Sequence, residues 1–235
     1  MDSLRFAERS RPRGLLIDFG GVLTVSVLDA FTTACASLGV DGPGFLRDCF
    51  SGAHPEDSPF VALELGKIST DEFGELVTPV LRRHAQGPVD GREWYAAVES
   101  VTWSLDHAMV DATQELIDSG VPTALVSNSW GPTYTYPWDS LPRFTEIVVS
   151  RDVGMRKPDP AIYELAAQRL GMHPSDCVFV DDLRVNLETA TKLGMATVLH
   201  EEATQSIGQL RSMFAGRDRP PASPSQRIFT VEDQQ

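Results

Sequence analysis

The stretch Gly14-Leu15-Leu16-Ile17-Asp18-Phe19-Gly20-Gly21-Val22-Leu23-Thr24 decides the fold. An apolar run that ends in a carboxylate and two glycines is a poor way to build a core. It is a good way to bring an anionic nucleophile or metal ligand to the C-terminal edge of a buried strand. Further apolar runs at 121–127, 146–149, 177–180 and 196–199 are short, β-branched and not alternating with polar residues, the pattern of strands covered on both faces. Between them the spacing turns helical. Met109, Ala112, Leu116 and Ile117 form one stripe within 106–119, closed by Gly120. Ile162, Leu165, Ala166 and Leu170 form another before Gly171, and 187–193 a third before Gly194. Strand, helix, glycine, strand is the βαβ rhythm of a parallel sheet with right-handed crossovers. The predicted class is α/β, with a Rossmann-like parallel sheet as the core.

Residues 25–104 break that rhythm. Nothing in them reads as a buried parallel strand, while helix signals recur at 27–38, 60–65 and 94–98. Ser69-Thr70-Asp71-Glu72 is a capping box for a helix carrying Phe73, Leu76, Val77 and Val80. An all-helical block between the first two strands reads as an inserted cap, facing Asp18 across a cleft. The expected organisation is an N-terminal arm at 1–13, a core from 14–24 and 105–214, a helical cap at 25–104, and a flexible Pro-rich tail at 215–235. The joints near 24–26 and 100–104 are short and free of glycine runs, so they predict either a modest hinge or a cap fixed by apolar contact with the core.

Composition narrows the function. With 20 Lys and Arg against 33 Asp and Glu the net charge is -13, which repels nucleic-acid backbones and anionic lipid. No apolar run approaches the roughly 20 residues that span a bilayer, and no signal peptide is evident, so the expectation is a soluble cytoplasmic protein, monomeric or homodimeric. Cys35, Cys49 and Cys177 lack CxxC spacing and read as buried thiols in a reducing compartment.

The remaining polar signals lie at strand ends. Asp181-Asp182 closes the 177–180 run, and two carboxylates at a buried strand mouth require a cation or lysine nearby. Carboxylates of Asp18 and Asp182, a backbone carbonyl and waters make an oxygen-only set that suits Mg²⁺, and the absence of His or Cys beside them argues against zinc. The plainer alternative for the acid pair is capping of the helix that follows. Ser127-Asn128 ends the second strand with hydrogen-bonding groups. Lys157, held between Arg156 and Pro158-Asp159-Pro160, offers a fixed ammonium to the carboxylates and to a transferring phosphoryl group.

These four signals, in this order, resemble the motifs of the haloacid dehalogenase-like hydrolase superfamily, in the branch (subfamily IA-like) whose helical C1 cap follows the first motif. Asp18-Phe19-Gly20-Gly21-Val22 is similar to its nucleophile motif, in an Asp-x-Gly-Gly variant. Ser127-Asn128, Lys157-Pro158-Asp159-Pro160 and Asp181-Asp182 are similar to the second, third and fourth. The resemblance implies that Asp18 attacks phosphorus to give an aspartyl-phosphate. It implies that Asp18, the Gly20 carbonyl and Asp182 bind Mg²⁺, with Asp181 behind them. Ser127 and Lys157 would then hold the phosphoryl oxygens, and Asn186 would be a further polar residue near the metal. Family phosphatases normally carry aspartate where this chain has Gly20, a general acid/base worth roughly 10²–10⁴-fold, while some members with glycine there resemble sugar-phosphate phosphatases.

The expected activity is therefore a Mg²⁺-dependent phosphomonoesterase acting on a small phosphorylated metabolite, with a sugar phosphate in view and Gly20 weakening it. The alternatives are a catalytically weak phospho-ligand-binding module and a 2-haloacid dehalogenase. Trp130, Tyr134, Tyr136 and Trp138 fall in one Gly- and Pro-broken loop. It reads either as a hydrophobic cover or subunit contact, or as an aromatic wall of the cleft with Trp130 and Tyr134 on substrate. Of five scattered histidines, His54 alone lies in a loop placed to reach over the cleft.

Overall fold

Five parallel strands form the sheet that carries the polar strand ends. In the computed structural model, which describes residues 11–50 and 58–216, these are β1 (Gly14–Ile17), β2 (Thr123–Ser127), β3 (Glu146–Val149), β4 (Cys177–Asp181) and β5 (Ala196–Leu199). Their order is β3-β2-β1-β4-β5. Ile17 pairs with Leu125 on one side and Val180 on the other, and the Asp18 amide donates to the Val180 carbonyl at 3.0 Å. Asp18 thus leaves the central strand between Ser127 and Asp181. The chain turns to opposite sides of β1 at this edge, the crevice where ligands of open α/β sheets bind.

Both faces of the sheet are covered. Leu15, Ile17, Leu125, Val178 and Val180 pack in one cluster with Met109 and Leu116 of α6 (His107–Asp118) and Leu210 and Phe214 of α10 (Ala203–Phe214). Leu16, Ala124, Val126 and Phe179 pack on the other face with Ile162, Tyr163 and Ala166 of α8 (Pro160–Arg169) and Leu187 and Ala190 of α9 (Arg184–Lys192). The three inner strands β1, β2 and β4 therefore bury every position, which is why their sequences do not alternate.

Between β1 and β2 the chain forms α1 (Val27–Ser37), α2 (Gly42–Phe50), α3 (Pro59–Glu64), α4 (Thr70–His84) and α5 (Gly91–Thr102). They enclose their own core around Phe31, Phe45, Phe60, Phe73, Trp94 and Val98. The capping box at α4 forms as expected: Ser69 Oγ accepts from the Glu72 amide at 3.1 Å and the Glu72 carboxylate from the Ser69 amide at 2.8 Å. Helices α4 and α5 meet at two glycines. A Cβ on Gly91 would stand 2.0 Å from the Gly74 carbonyl oxygen, so only glycine admits this approach.

The structure departs from the sequence reading at four helices. Helix α2 opens on Gly42-Pro43-Gly44, a poor start by propensity, and is held instead by Phe45, fully buried with its ring 5.0 Å from that of Trp94. Helix α5 is longer than 94–98, capped by the Asp90 carboxylate, and α9 begins three residues before Leu187. A short α7 (Ser150–Val153) follows β3. The two joints run side by side, with Thr24 and Leu105 in an antiparallel bridge and the Val25 amide donating to the Ser104 carbonyl at 3.0 Å. Residues 1–10, the 51–57 loop with His54, and 217–235 of the tail lie outside the described residues.

Candidate active site

Lys157 lies at the centre of the strand-end cluster. Its side chain is 2% exposed, and its ammonium stands 2.5 Å from Asp18 Oδ1 and 2.8 Å from Asp181 Oδ2. Asn128 holds the lysine backbone from both sides: its amide NH₂ donates to the Lys157 carbonyl at 3.0 Å, and its Oδ1 accepts from the Lys157 N–H at 2.8 Å. Asn128, read from the sequence as a hydrogen-bonding group beside Ser127 at the end of the second strand, clamps the lysine backbone.

Asp181 is fully buried and its oxygens are engaged. Besides Lys157 it accepts from the Leu183 amide at 2.8 Å and from Asn186 Nδ2, 3.0 Å from both carboxylate oxygens. One oxygen accepts from the turn into α9 while the other faces the lysine. Asn186 acts on Asp181, and Tyr163 Oη in turn donates to the Asn186 carbonyl at 3.1 Å.

Asp18, Asp181 and Asp182 can each present one oxygen within 4.8 Å of the others. Asp182 lies against Gly21, whose φ is +78° and where a Cβ would meet Asp182 Oδ2 at 2.3 Å. Glycine at 21 is thus required twice, for the left-handed backbone and for the carboxylate beside it. Burial lifts the Asp182 carboxyl to about 6, with the charge of Asp181 adding to it and Lys157 opposing. Burial also raises Asp18 well above the usual carboxylate range against the pull of Lys157, while Asp181 and Asp182 push the same way as burial. Lys157 is held above its ordinary value: burial lowers it, but Asp18 and Asp181 outweigh that.

The charge balance bears on a metal. Three carboxylates against one ammonium leave two negative charges when all are ionised, and the donors are oxygens only. The cluster fits a divalent oxygen-loving cation such as Mg²⁺. Asp181 is taken up by its own partners, so Asp18 and Asp182 are the carboxylates free to face an ion.

Ser127 closes β2 with its side chain buried, 2.9 Å from the phenol of Tyr136. Sequence reading missed Tyr136 as a site residue, because spacing alone does not tell which of four loop aromatics turns inward. Trp130 requires a correction. It is no wall of the cleft: it is 7% exposed and packs into the cap core, with its ring centroid 4.9 Å from Phe31, 5.4 Å from Phe73 and 5.6 Å from Tyr95. Tyr95 Oη donates to the Trp130 carbonyl at 2.7 Å. The large apolar indole gains more from the cap interior than from a polar crevice. Tyr134 is 79% exposed, and no contact joins it to the carboxylates among the described residues.

A second cap–core contact lies beside the lysine. The Glu64 carboxylate, at the end of α3, pairs with Arg156, and the Glu64 carbonyl accepts from Ser150 Oγ at 2.5 Å. That serine oxygen also accepts from the Ser129 amide at 2.8 Å, tying α3 to the loop after Ser127.

A parallel α/β core with a helical cap and an aspartate cluster at the sheet edge defines a capped α/β hydrolase with a candidate Asp-based catalytic and metal site. Residues 12–194 match the family model for haloacid dehalogenase-like hydrolases, and the chain belongs to that family. It is 29% identical over 213 residues to acyl-CoA dehydrogenase family member 10 of Mus musculus, and 30% identical over 215 residues to bifunctional epoxide hydrolase 2 of Sus scrofa. Each match takes in 86% of this chain but only 19% and 38%, respectively, of those longer proteins. Among solved structures, the chain is similar to a HAD family enzyme of Bacteroides thetaiotaomicron in complex with magnesium and inorganic phosphate. The TM-score is 0.55 at 22% identity, covering 81% of this chain and 94% of that one, a likeness of fold. No described helix is long and apolar enough to cross a membrane.

Proposed function

We propose that this protein is a Mg²⁺-dependent phosphomonoesterase of the helical-cap, subfamily IA-like branch, acting on a small phosphate ester such as a sugar phosphate in the cytoplasm. The observation that carries the reading is Lys157, buried and bridging Asp18 to Asp181 beside the carboxylate of Asp182. Asp18, Asp182 and the Gly20 carbonyl would hold the ion, which supplies positive charge to the phosphoryl oxygens. Ser127 and Lys157 bind the same group from the protein side. An Asp18 carboxylate oxygen attacks phosphorus as the bond to the leaving oxygen breaks. Water then attacks phosphorus, releasing inorganic phosphate and restoring the carboxylate.

Gly20 leaves the leaving oxygen without the usual acid, and the cap supplies the reason. A Cβ built at residue 20 would lie 2.7 Å from Val27 Cγ2, at the first turn of α1. An apolar branch of the cap crowds the first carbon that any side chain at residue 20 would bring. Gly20→Asp alone is therefore expected to leave turnover of alkyl phosphates level or lower. With Val27→Ala added, kcat is expected to rise by about tenfold or more, within the range of one acid/base group. An equal gain from the single variant would show that Val27 is no obstacle.

The deciding assay is release of phosphate from p-nitrophenyl phosphate, whose leaving group needs no acid. Turnover is expected with Mg²⁺ and none in EDTA. Metal-independent chloride release from 2-chloropropionate would replace the reading with a dehalogenase. Inertness of wild type across a phosphate-ester panel, with retained ligand binding, would favour the weak binding module to which the Gly20 gap points.

A further inference from the structure

Tyr136 belongs to no motif of the site, yet it touches three parts of it. Its phenol is 2.9 Å from Ser127 Oγ. Its ring centroid is 4.7 Å from that of Phe19, the residue after Asp18, and 5.3 Å from Trp103, which ends α5 at the joint between cap and core. Trp138 stacks behind it at 5.0 Å and 10°. The side chain is 4% exposed, so the hydroxyl cannot lean on bulk water.

The direction of the Tyr136–Ser127 hydrogen bond follows from the inventory of partners. Ser127 Oγ is the one partner of the phenol among the described residues. If serine donated to tyrosine, the phenolic proton would be buried without an acceptor, a costly arrangement. Burial also holds Tyr136 above its ordinary pKa, the hydrogen bond to Ser127 opposing, so the phenol keeps its proton. Tyrosine therefore donates. The serine proton is left with the Asn128 carbonyl at 3.4 Å, a poor bond that is readily given up.

We propose that Tyr136 is a positioning residue for phosphoryl binding: by donating to Ser127 Oγ it turns the serine hydroxyl outward as a donor to a phosphoryl oxygen. The inference rests on the phosphatase reading. Its sequence signal, a tyrosine nine residues after the strand-end serine, cannot be told from loop packing without the fold.

The test is a double-mutant cycle of Tyr136→Phe and Ser127→Ala in Mg²⁺, read by inhibition with inorganic phosphate and by kcat/KM for p-nitrophenyl phosphate. Phenylalanine keeps the ring among Phe19, Trp103 and Trp138 and removes only the donor. In the wild-type background Tyr136→Phe is expected to weaken phosphate binding and kcat/KM by about five- to tenfold, the worth of one hydrogen bond. In Ser127→Ala it should cost less than about twofold, because the partner is gone. Equal losses in both backgrounds, or unchanged phosphate binding in Tyr136→Phe, would overturn the proposal and leave the phosphatase reading standing. A wild type that neither binds phosphate nor releases it would overturn both.

Discussion

Asp18→Asn is expected to lower phosphate release by at least about 10⁴-fold, the scale on which losing a covalent nucleophile is felt. The amide has the shape of the carboxylate but not its charge or nucleophilicity. The loss should come without unfolding. Lys157 keeps its partner Asp181 at 2.8 Å, and the surplus of negative charge in the cluster falls by one. Burial already opposes the ionised form of Asp18, so neutralising it removes a strained charge rather than a support. The check is p-nitrophenyl phosphate turnover in Mg²⁺ beside a thermal melt in EDTA. An Asp18→Asn protein within tenfold of wild type would remove Asp18 as nucleophile. One that melts well below wild type would mean that the carboxylate steadies the fold more than it burdens it.

Lys157→Met is expected to do the opposite and act first on stability. Methionine fills similar space, but Asp18 and Asp181 would then face each other with no described cation between them. Breaking a buried ion pair from one side costs about 3–5 kcal/mol, which for a chain of this size lowers Tm by on the order of 10 °C. Urea unfolding in EDTA reads it directly. Adding Asp181→Asn should return part of the loss, since one of the two stranded charges is removed with it. If Lys157→Met unfolds within about 1 kcal/mol of wild type, the cluster tolerates its negative charge without the lysine. Activity should fall as well, because the same ammonium serves the phosphoryl group.

The strands and the strand-end acids were legible because parallel strands buried on both faces leave a signature in every residue. Gly14 to Ile17 shows it plainly, and Asp18 stands out against it. Lys157 was legible through the stiff prolines around it. What sequence did not disclose were partnerships set by tertiary placement. Asn128 clamps the Lys157 backbone across 29 positions, and Asn186 is spent on Asp181. Helix α2 was hidden by glycines and a proline that packing of Phe45 overrides. The aromatic loop was visible as a loop, but Trp130 and Tyr136 face opposite ways for reasons lying in other segments: the cap interior for one, Phe19 and Ser127 for the other.

Trp130 has a consequence for how such a protein can be recombined. By position in the chain it is core, three residues past the end of β2 and far beyond α5; by packing it is cap, its indole among Phe31, Phe60 and Phe73. The joint-to-joint segment 25–104 is therefore not a transplantable unit. Grafted onto another member's core it would arrive with an indole-sized void, and this chain's core given a foreign cap would present a large aromatic ring with no socket. A chimaera that respects the physics exchanges the loop after β2 together with the helices. The exchangeable piece in this chain is discontinuous: the five helices together with the loop after β2 that carries Trp130.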